Sequence, residues 1–121
     1  MDIIISNTSS QPIYLQISDQ IKRQVLRGEL DNGYYLPSIR MLAKELQVSV
    51  ITTKNAYQVL EKEGLIKSVK GRGFYVSAQK EDLLEDMKIK SVEQKLEEVV
   101  DEAKELNIPL EKVIEMLKLL Y

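Results

Sequence analysis

Between Leu36 and Gly64 the chain is interrupted so often that it has room only for two short helices and a tight turn. Pro37 cannot sit inside a helix, because it lacks the N–H and its ring collides with the preceding turn. Ser38, directly after it, can accept the free N–H groups of a new helix. From there Ile39, Leu42, Ala43 and Leu46 recur at spacings of three and four, the apolar face of a helix ending at about Leu46. Gln47-Val48 is a tight connection and Ser49 a second N-cap. The next helix spans about Val50 to Glu63, with Ala56, Val59 and Leu60 apolar, and Gly64 stops it. Two short capped helices joined by a turn of a few residues form a helix-turn-helix.

On the upstream side, Ile3 to Ile5 reads as an extended arm or edge strand. Ser10 or Gln11 is placed to cap a helix that has Pro12 at its first position, where a missing N–H costs nothing. Tyr14, Ile17, Ile21 and Val25 mark the face of that helix, Gly28 its stop, and Asp31-Asn32-Gly33 a turn. Downstream, Leu65 to Val69 and Phe74 to Ser77 are β-prone, and Lys70-Gly71-Arg72-Gly73 between them supplies glycines for a hairpin with a cationic tip. Helix, helix-turn-helix and hairpin, in that order, make a winged helix.

The remainder differs in kind. From Lys80 to Leu106 there is no Gly or Pro, and Ile89, Val92, Leu96, Val99, Ala103 and Leu106 keep helical spacing among charged residues. Asn107-Ile108-Pro109 breaks the pattern. A last helix then carries Leu110, Val113, Leu117 and Leu120, with Ile114 beside them. Two amphipathic helices cannot bury both stripes on each other, so a partner surface is needed, most simply the same tail of a second chain. The expected fold class is mostly α with a small β-hairpin. Residues 1–78 form a winged helix-turn-helix, and residues 79–121 a two-helix dimerisation tail.

Charge follows the same division. The net charge is −2, yet residues 1–78 carry ten Lys/Arg against seven Asp/Glu, and residues 79–121 seven against twelve. Polyanion contact therefore belongs to the front half. Cysteine and histidine are both absent, which removes disulfides, thiolate nucleophiles, Ser-His-Asp triads and Cys/His zinc sites. Paired acids such as Glu97-Glu98 and Asp101-Glu102 diverge by about 100° on a helix and read as a solvated face rather than metal ligands. An enzyme is not expected, nor a metal or cofactor. No apolar run nears the roughly 20 residues that span a bilayer, and no basic leader precedes Asp2, so the expected location is the cytoplasm.

In a helix-turn-helix the second helix enters the major groove with its N-terminal residues at the base edges. Here those residues are Ser49, Val50, Ile51, Thr52, Lys54 and Asn55. Ser49 or Thr52 can bond a phosphate or base, Val50 or Ile51 can pack on a thymine methyl, Lys54 offers a cation, and Asn55 suits adenine. Ser49 is at the same time a cap, and Lys54 alone would be an ordinary surface residue. Ser38 and Arg40 open the preceding helix, where a guanidinium suits phosphate or guanine unless it pairs with Glu45. Lys70, Gly71 and Arg72 form the wing tip. The tyrosines and Phe74 read as packing rather than as stacking platforms.

These motifs together resemble one family. Pro12-Ile13-Tyr14-Leu15-Gln16-Ile17, Gly28-Glu29-Leu30-Asp31-Asn32-Gly33, Leu36-Pro37-Ser38-Ile39-Arg40, Leu42-Ala43, Val48-Ser49, Ala56-Tyr57, Leu60 to Ile66 and Gly71 to Val76 resemble the N-terminal domain of GntR regulators over about residues 10 to 77. The short tail resembles the YtrA subfamily, whose members are small repressors often tied to transporter operons. The 44 residues after Ser77 are too few for the larger effector-binding domains of other subfamilies. The resemblance implies that Arg40 is the arginine of a Pro-Ser-x-Arg motif, Ser49 the cap of the recognition helix, Lys54 a DNA contact and Gly71 the wing glycine. Many relatives carry arginine where this chain has Val50, so the operator is not transferable. The implied partners are duplex DNA and a second copy of the chain, with no membrane, and no effector-binding residue is legible. The competing expectation is a winged helix that docks protein, which would expose an apolar patch where DNA would otherwise lie.

Overall fold

The computed structural model describes residues 1–77 and 81–121. These form, in order, α1 (Ile13–Leu26), α2 (Ile39–Leu46), α3 (Val50–Lys62), β1 (Ile66–Val69), β2 (Gly73–Val76), α4 (Glu81–Glu105) and α5 (Leu110–Leu120). Two compact units result, Met1–Glu81 and Asp82–Tyr121. The boundary expected between residues 78 and 79 lies outside the described residues.

In the first unit α1 and α2 both pack on α3. Their apolar rows meet in a core of Ile17, Ile21 and Val25 from α1, Leu42 and Ala43 from α2, and Ala56, Tyr57 and Leu60 from α3. Leu30, Leu36, Leu65, Ile66 and Val76 close it from the loops and hairpin. Burying each large side chain of this kind contributes about 1.5–3 kcal/mol. Tyr14, Ile39, Leu46 and Val59 share those rows but lie at the rim, half-buried. Tyr57 is wholly buried, and its hydroxyl donates to the Pro37 carbonyl at 2.6 Å. Its ring meets Phe74 of β2 edge-on at 5.1 Å.

Four helices end in one way: a left-handed residue bonds back three positions, and the next N–H bonds back five. At α1 these are Gly28 to Val25 (3.1 Å) and Glu29 to Gln24 (2.9 Å), and at α3 Gly64 to Glu61 (3.0 Å) and Leu65 to Leu60 (3.0 Å). The turn between α2 and α3 uses the same geometry without glycine, at Gln47 with φ 56°. Asn107 does the same after α4 with φ 57°.

The N-terminus departs from expectation. Neither Ser10 nor Gln11 caps α1; Pro12 itself is the N-cap, with extended ψ 145° and no side-chain cap bond. The Gln11 side chain donates to Asp19 (2.7 Å), and its N–H to the Ser9 hydroxyl (3.1 Å). Ile3 to Ile5 belongs to no sheet. Gln16, Gln20 and Gln24, one turn apart on α1, grip its main chain instead. Gln20 exchanges two bonds with Ile4 (2.9 and 2.7 Å), Gln16 two with Ser6 (2.8 and 3.0 Å), and Gln24 donates to the Asp2 carbonyl (2.7 Å). Side-chain amides thus stand in for a neighbouring strand, bonding every second residue of the arm.

The hairpin is antiparallel, pairing Ile66 with Val76 through Val69 with Gly73. A segment not expected to be extended joins its other edge. Gly33 donates to Val76 (2.7 Å), Val76 to Tyr34 (2.8 Å) and Leu36 to Phe74 (2.9 Å), and Tyr35 bridges Tyr75. This pairing anchors the wing to the segment that leads into α2.

The second unit holds α4, the Asn107 turn and α5. Only Ala103 is buried there among the described residues, with Ile108 and Val113 half-buried near the turn. No α5 side chain is buried; Leu119 and Leu120 stand 81% and 84% exposed.

Tyr57→Phe is expected to lower stability by about 1–2 kcal/mol at neutral pH, because the Pro37 carbonyl loses its partner. Burial above all, then Tyr34 and Glu45, holds the Tyr57 phenol protonated far above its ordinary range. The unfolded chain loses that proton near pH 10 while the folded chain keeps it, so this contribution falls as pH rises beyond 10. Urea titrations from pH 7 to 11 should show the gap between wild type and Tyr57→Phe narrowing above pH 10.

Candidate nucleic-acid interface

The face that α3 turns inward fixes the face it turns outward. Thr53, Ala56, Tyr57 and Leu60 are buried. At 100° per residue the opposite side carries Ile51, Lys54, Asn55, Gln58 and Lys62, all exposed. Val50 flanks this row at the helix start, 47% exposed, and Ile51 is 70% exposed. Lys54, Asn55 and Gln58 have no hydrogen bond or ion pair among the described residues. The helix therefore presents an apolar group, a cation and two unused amides along one line. Gln58 was not singled out from the sequence; its spacing of seven from Ile51 and four from Lys54 is the signal that finds it.

The start of α3 is closed by its own hydroxyls. Ser49 Oγ accepts the Thr52 N–H at 3.0 Å and donates to Thr52 Oγ1 at 2.7 Å, while Thr53 Oγ1 donates to the Ser49 carbonyl at 3.2 Å. Ser49 is thus a cap with both its hydroxyl functions in use, and half-buried Thr52 keeps one O–H to offer outward. Ser38 caps α2 in the same manner, accepting from Met41 at 3.1 Å. Arg40 is exposed on the first turn of α2 and forms no ion pair among the described residues, so the pairing with Glu45 is absent. Lys44 follows one turn later on the same side, also exposed. Tyr57 links these pieces, since its hydroxyl holds the residue that precedes Ser38.

At the wing tip Lys70, Gly71 and Arg72 are all exposed. The Arg72 N–H bonds the Val69 carbonyl at 3.0 Å, which closes a four-residue turn. Gly71 sits third in that turn with φ 80°, a conformation that strongly favours glycine. The paired cations of this unit lie elsewhere: Lys22 with Glu63 at 3.1 Å and Arg27 with Glu29 at 3.2 Å. Arg40, Lys44, Lys54, Lys70 and Arg72 keep their charge unpaired among the described residues. Those residues include no group of three or more His, Cys, Asp or Glu arranged to hold a metal.

The family model for bacterial regulatory proteins of the gntR family matches residues 13–76, from the first residue of α1 to the last of β2. The chain belongs to the gntR family. It is 36% identical over 116 residues to the HTH-type transcriptional repressor YtrA of Bacillus subtilis, covering 96% of this chain and 89% of that one. A GntR family transcriptional regulator from Listeria monocytogenes superposes with a TM-score of 0.79 at 32% identity, over 94% and 97% of the two chains. The DNA-binding domain of AraR, solved in complex with operator ORX1, matches with a TM-score of 0.56 at 25% identity, over 64% of this chain and 96% of that one. As in the gntR family at large, the protein is a DNA-binding transcriptional regulator and not an enzyme. Among the described residues no helix is long and apolar enough to cross a membrane.

In the tail, the stripe assigned to a partner is largely uncovered. Ile89, Val92, Leu96, Val99, Leu106, Leu110, Leu117 and Leu120 are exposed, whereas Ala103 is covered within the chain and Val113 partly so. Exposed Val100, Met116, Leu119 and Tyr121 widen the apolar surface beyond that stripe.

Two substitutions at Ser49 separate its local role from any contact. Ser49→Ala is expected to cost about 1 kcal/mol by removing the cap, whereas Ser49→Asp retains an acceptor and should stay within about 0.5 kcal/mol of wild type. Denaturant midpoints of the two variants check this.

Proposed function

We propose that the protein acts as a homodimer on a two-fold symmetric operator, with residues 1–78 binding DNA and residues 79–121 pairing the two copies. The observation that carries the proposal is the outward row of α3, whose Lys54, Asn55 and Gln58 are exposed and uncommitted, on a winged helix similar to one solved on its operator. The Ser38 cap would meet the backbone beside it, Arg40 the backbone or a guanine, and Lys70, Gly71 and Arg72 the neighbouring groove. Ser49, Val50, Ile51 and Thr52 would stand at the base edges. Among the described residues Leu96, Val99, Leu110, Leu117 and Leu120 stand exposed, and a second tail laid against them would bury them.

The action is repression, as in the repressor YtrA that the chain resembles, and the subfamily resemblance points to a transporter operon. The protein works in the cytoplasm and needs no cofactor, and no residue among those described marks an effector site. The protein-docking reading is weaker, because the apolar Val50 and Ile51 are flanked by unpaired Arg40, Lys44 and Lys54.

Fluorescence anisotropy on a duplex selected from a random pool tests the reading. Arg40→Ala and Lys54→Ala should each lose about 1–3 kcal/mol, and the affinity should fall steeply with salt as counterions are released. Leu96→Lys should sediment as a monomer and bind more weakly. Wild-type binding indifferent to all three changes, or a wild-type monomer at micromolar concentration, contradicts the proposal.

A further inference from the structure

The side of α3 that faces away from the core carries no arginine. Its cations are Lys54 and Lys62, and the positions nearest the helix start are apolar, Val50 and Ile51. Guanine is most often read by a bidentate Arg on O6 and N7, with Lys its lesser substitute. Thymine offers a 5-methyl group to an apolar side chain, and adenine a paired donor and acceptor that suit the amide of Asn or Gln. Ile51 is 70% exposed, with no core position to fill, and an isoleucine so placed exchanges water for protein only when something covers it. Asn55 and Gln58 follow at four and seven residues, on the same row, with both amides free of partners among the described residues.

We infer that α3 is built to read A·T pairs: Ile51, flanked by Val50, packs on a thymine methyl, and Asn55 and Gln58 take adenine edges in the pairs that follow. Lys54 between them serves the phosphate backbone, and any guanine in the half-site is contacted from α2 by Arg40 and not from α3. The inference rests on the operator-binding reading above and assigns its base specificity. An apolar side chain, a cation and two amides in one row match no single alternative as well. A protein-docking face would gain nothing from two unpaired amides, and a purely phosphate-binding helix would have no use for an exposed isoleucine.

The test begins with a half-site selected from random duplex DNA by the full-length protein. Each thymine of that half-site is then replaced by uracil, which removes only the methyl, and each adenine by 7-deazaadenine, which removes only N7. At least one uracil position should weaken wild-type binding about tenfold, and Ile51→Ala should bind the thymine and uracil duplexes with the same, weakened affinity, so that the methyl no longer matters. Asn55→Ala or Gln58→Ala should in the same way erase the response to 7-deazaadenine at one position. Replacing a critical thymine–adenine pair by 5-methylcytosine–guanine, which keeps the methyl, should restore Ile51-dependent binding in part. If no uracil position matters, or if Ile51→Ala, Asn55→Ala and Gln58→Ala change the preference at a G·C pair instead, the inference fails while DNA binding stands. If the wild-type protein enriches no duplex at all, the operator-binding reading fails with it. Circular dichroism melts of the three variants, which alter exposed side chains only, show that each is folded.

Discussion

Tyr57 is buried where three parts of the winged domain meet. Its hydroxyl holds the Pro37 carbonyl just before α2, its backbone belongs to α3, and its ring packs edge-on against Phe74 of the wing. A phenol is amphipathic, so it can fill core volume and still satisfy a main-chain carbonyl that no helix or strand bonds. That side chain ties the start of α2 and the wing to α3, and the exposed row beginning at Ile51 lies opposite the face of α3 that it helps to bury. The pairing of Tyr34 and Leu36 with β2 strengthens the same junction, because it ties the wing to the stretch that ends at Pro37.

Much of this arrangement is legible in the residues, because it rests on local chemistry. Ser38 and Ser49 cap α2 and α3 as their positions suggest, and the three-and-four spacing of Ile17, Ile21, Leu42, Ala56 and Leu60 finds the core. What escaped depends on partners distant in sequence. The grip of Gln16, Gln20 and Gln24 on the arm is invisible to a hydrophobic pattern, since polar residues one turn apart read as a solvated face. The short extended pairing at Tyr34 to Leu36 escaped because Asp31-Asn32-Gly33 announces a turn and says nothing of what the chain does next. Tyr57 counted as packing, and only its 2.6 Å bond to Pro37 makes it a junction. Pro12 displaced Ser10 and Gln11 as the cap of α1 because an extended ψ suits proline, while Gln11 is bound to Asp19.

The two units differ in how completely they are satisfied. In the first, every buried polar side chain among the described residues has a partner: Gln16, Ser18, Gln24, Thr53 and Ser77 all bond within it. The second keeps leucines and valines in water along both helices. Apolar side chains exposed in this number mark an interaction surface, and covering them with a second copy would place two winged domains in one particle. In such a particle affinity would depend on the tails as much as on α3, because a single set of backbone and base contacts would become two that act together.

On the proposed reading, α3 lies in a major groove of duplex DNA twice per particle. Because the chain contains no cysteine, one can be introduced without competing thiols. Lys62→Cys, at the far end of the outward row of α3, can carry an iron chelate that cleaves nearby deoxyribose. On a selected duplex two cleavage clusters related by the two-fold of the site are expected, each with the strand offset of a reagent in the major groove. A single cluster, an offset characteristic of the minor groove, or diffuse cleavage along the duplex would contradict it.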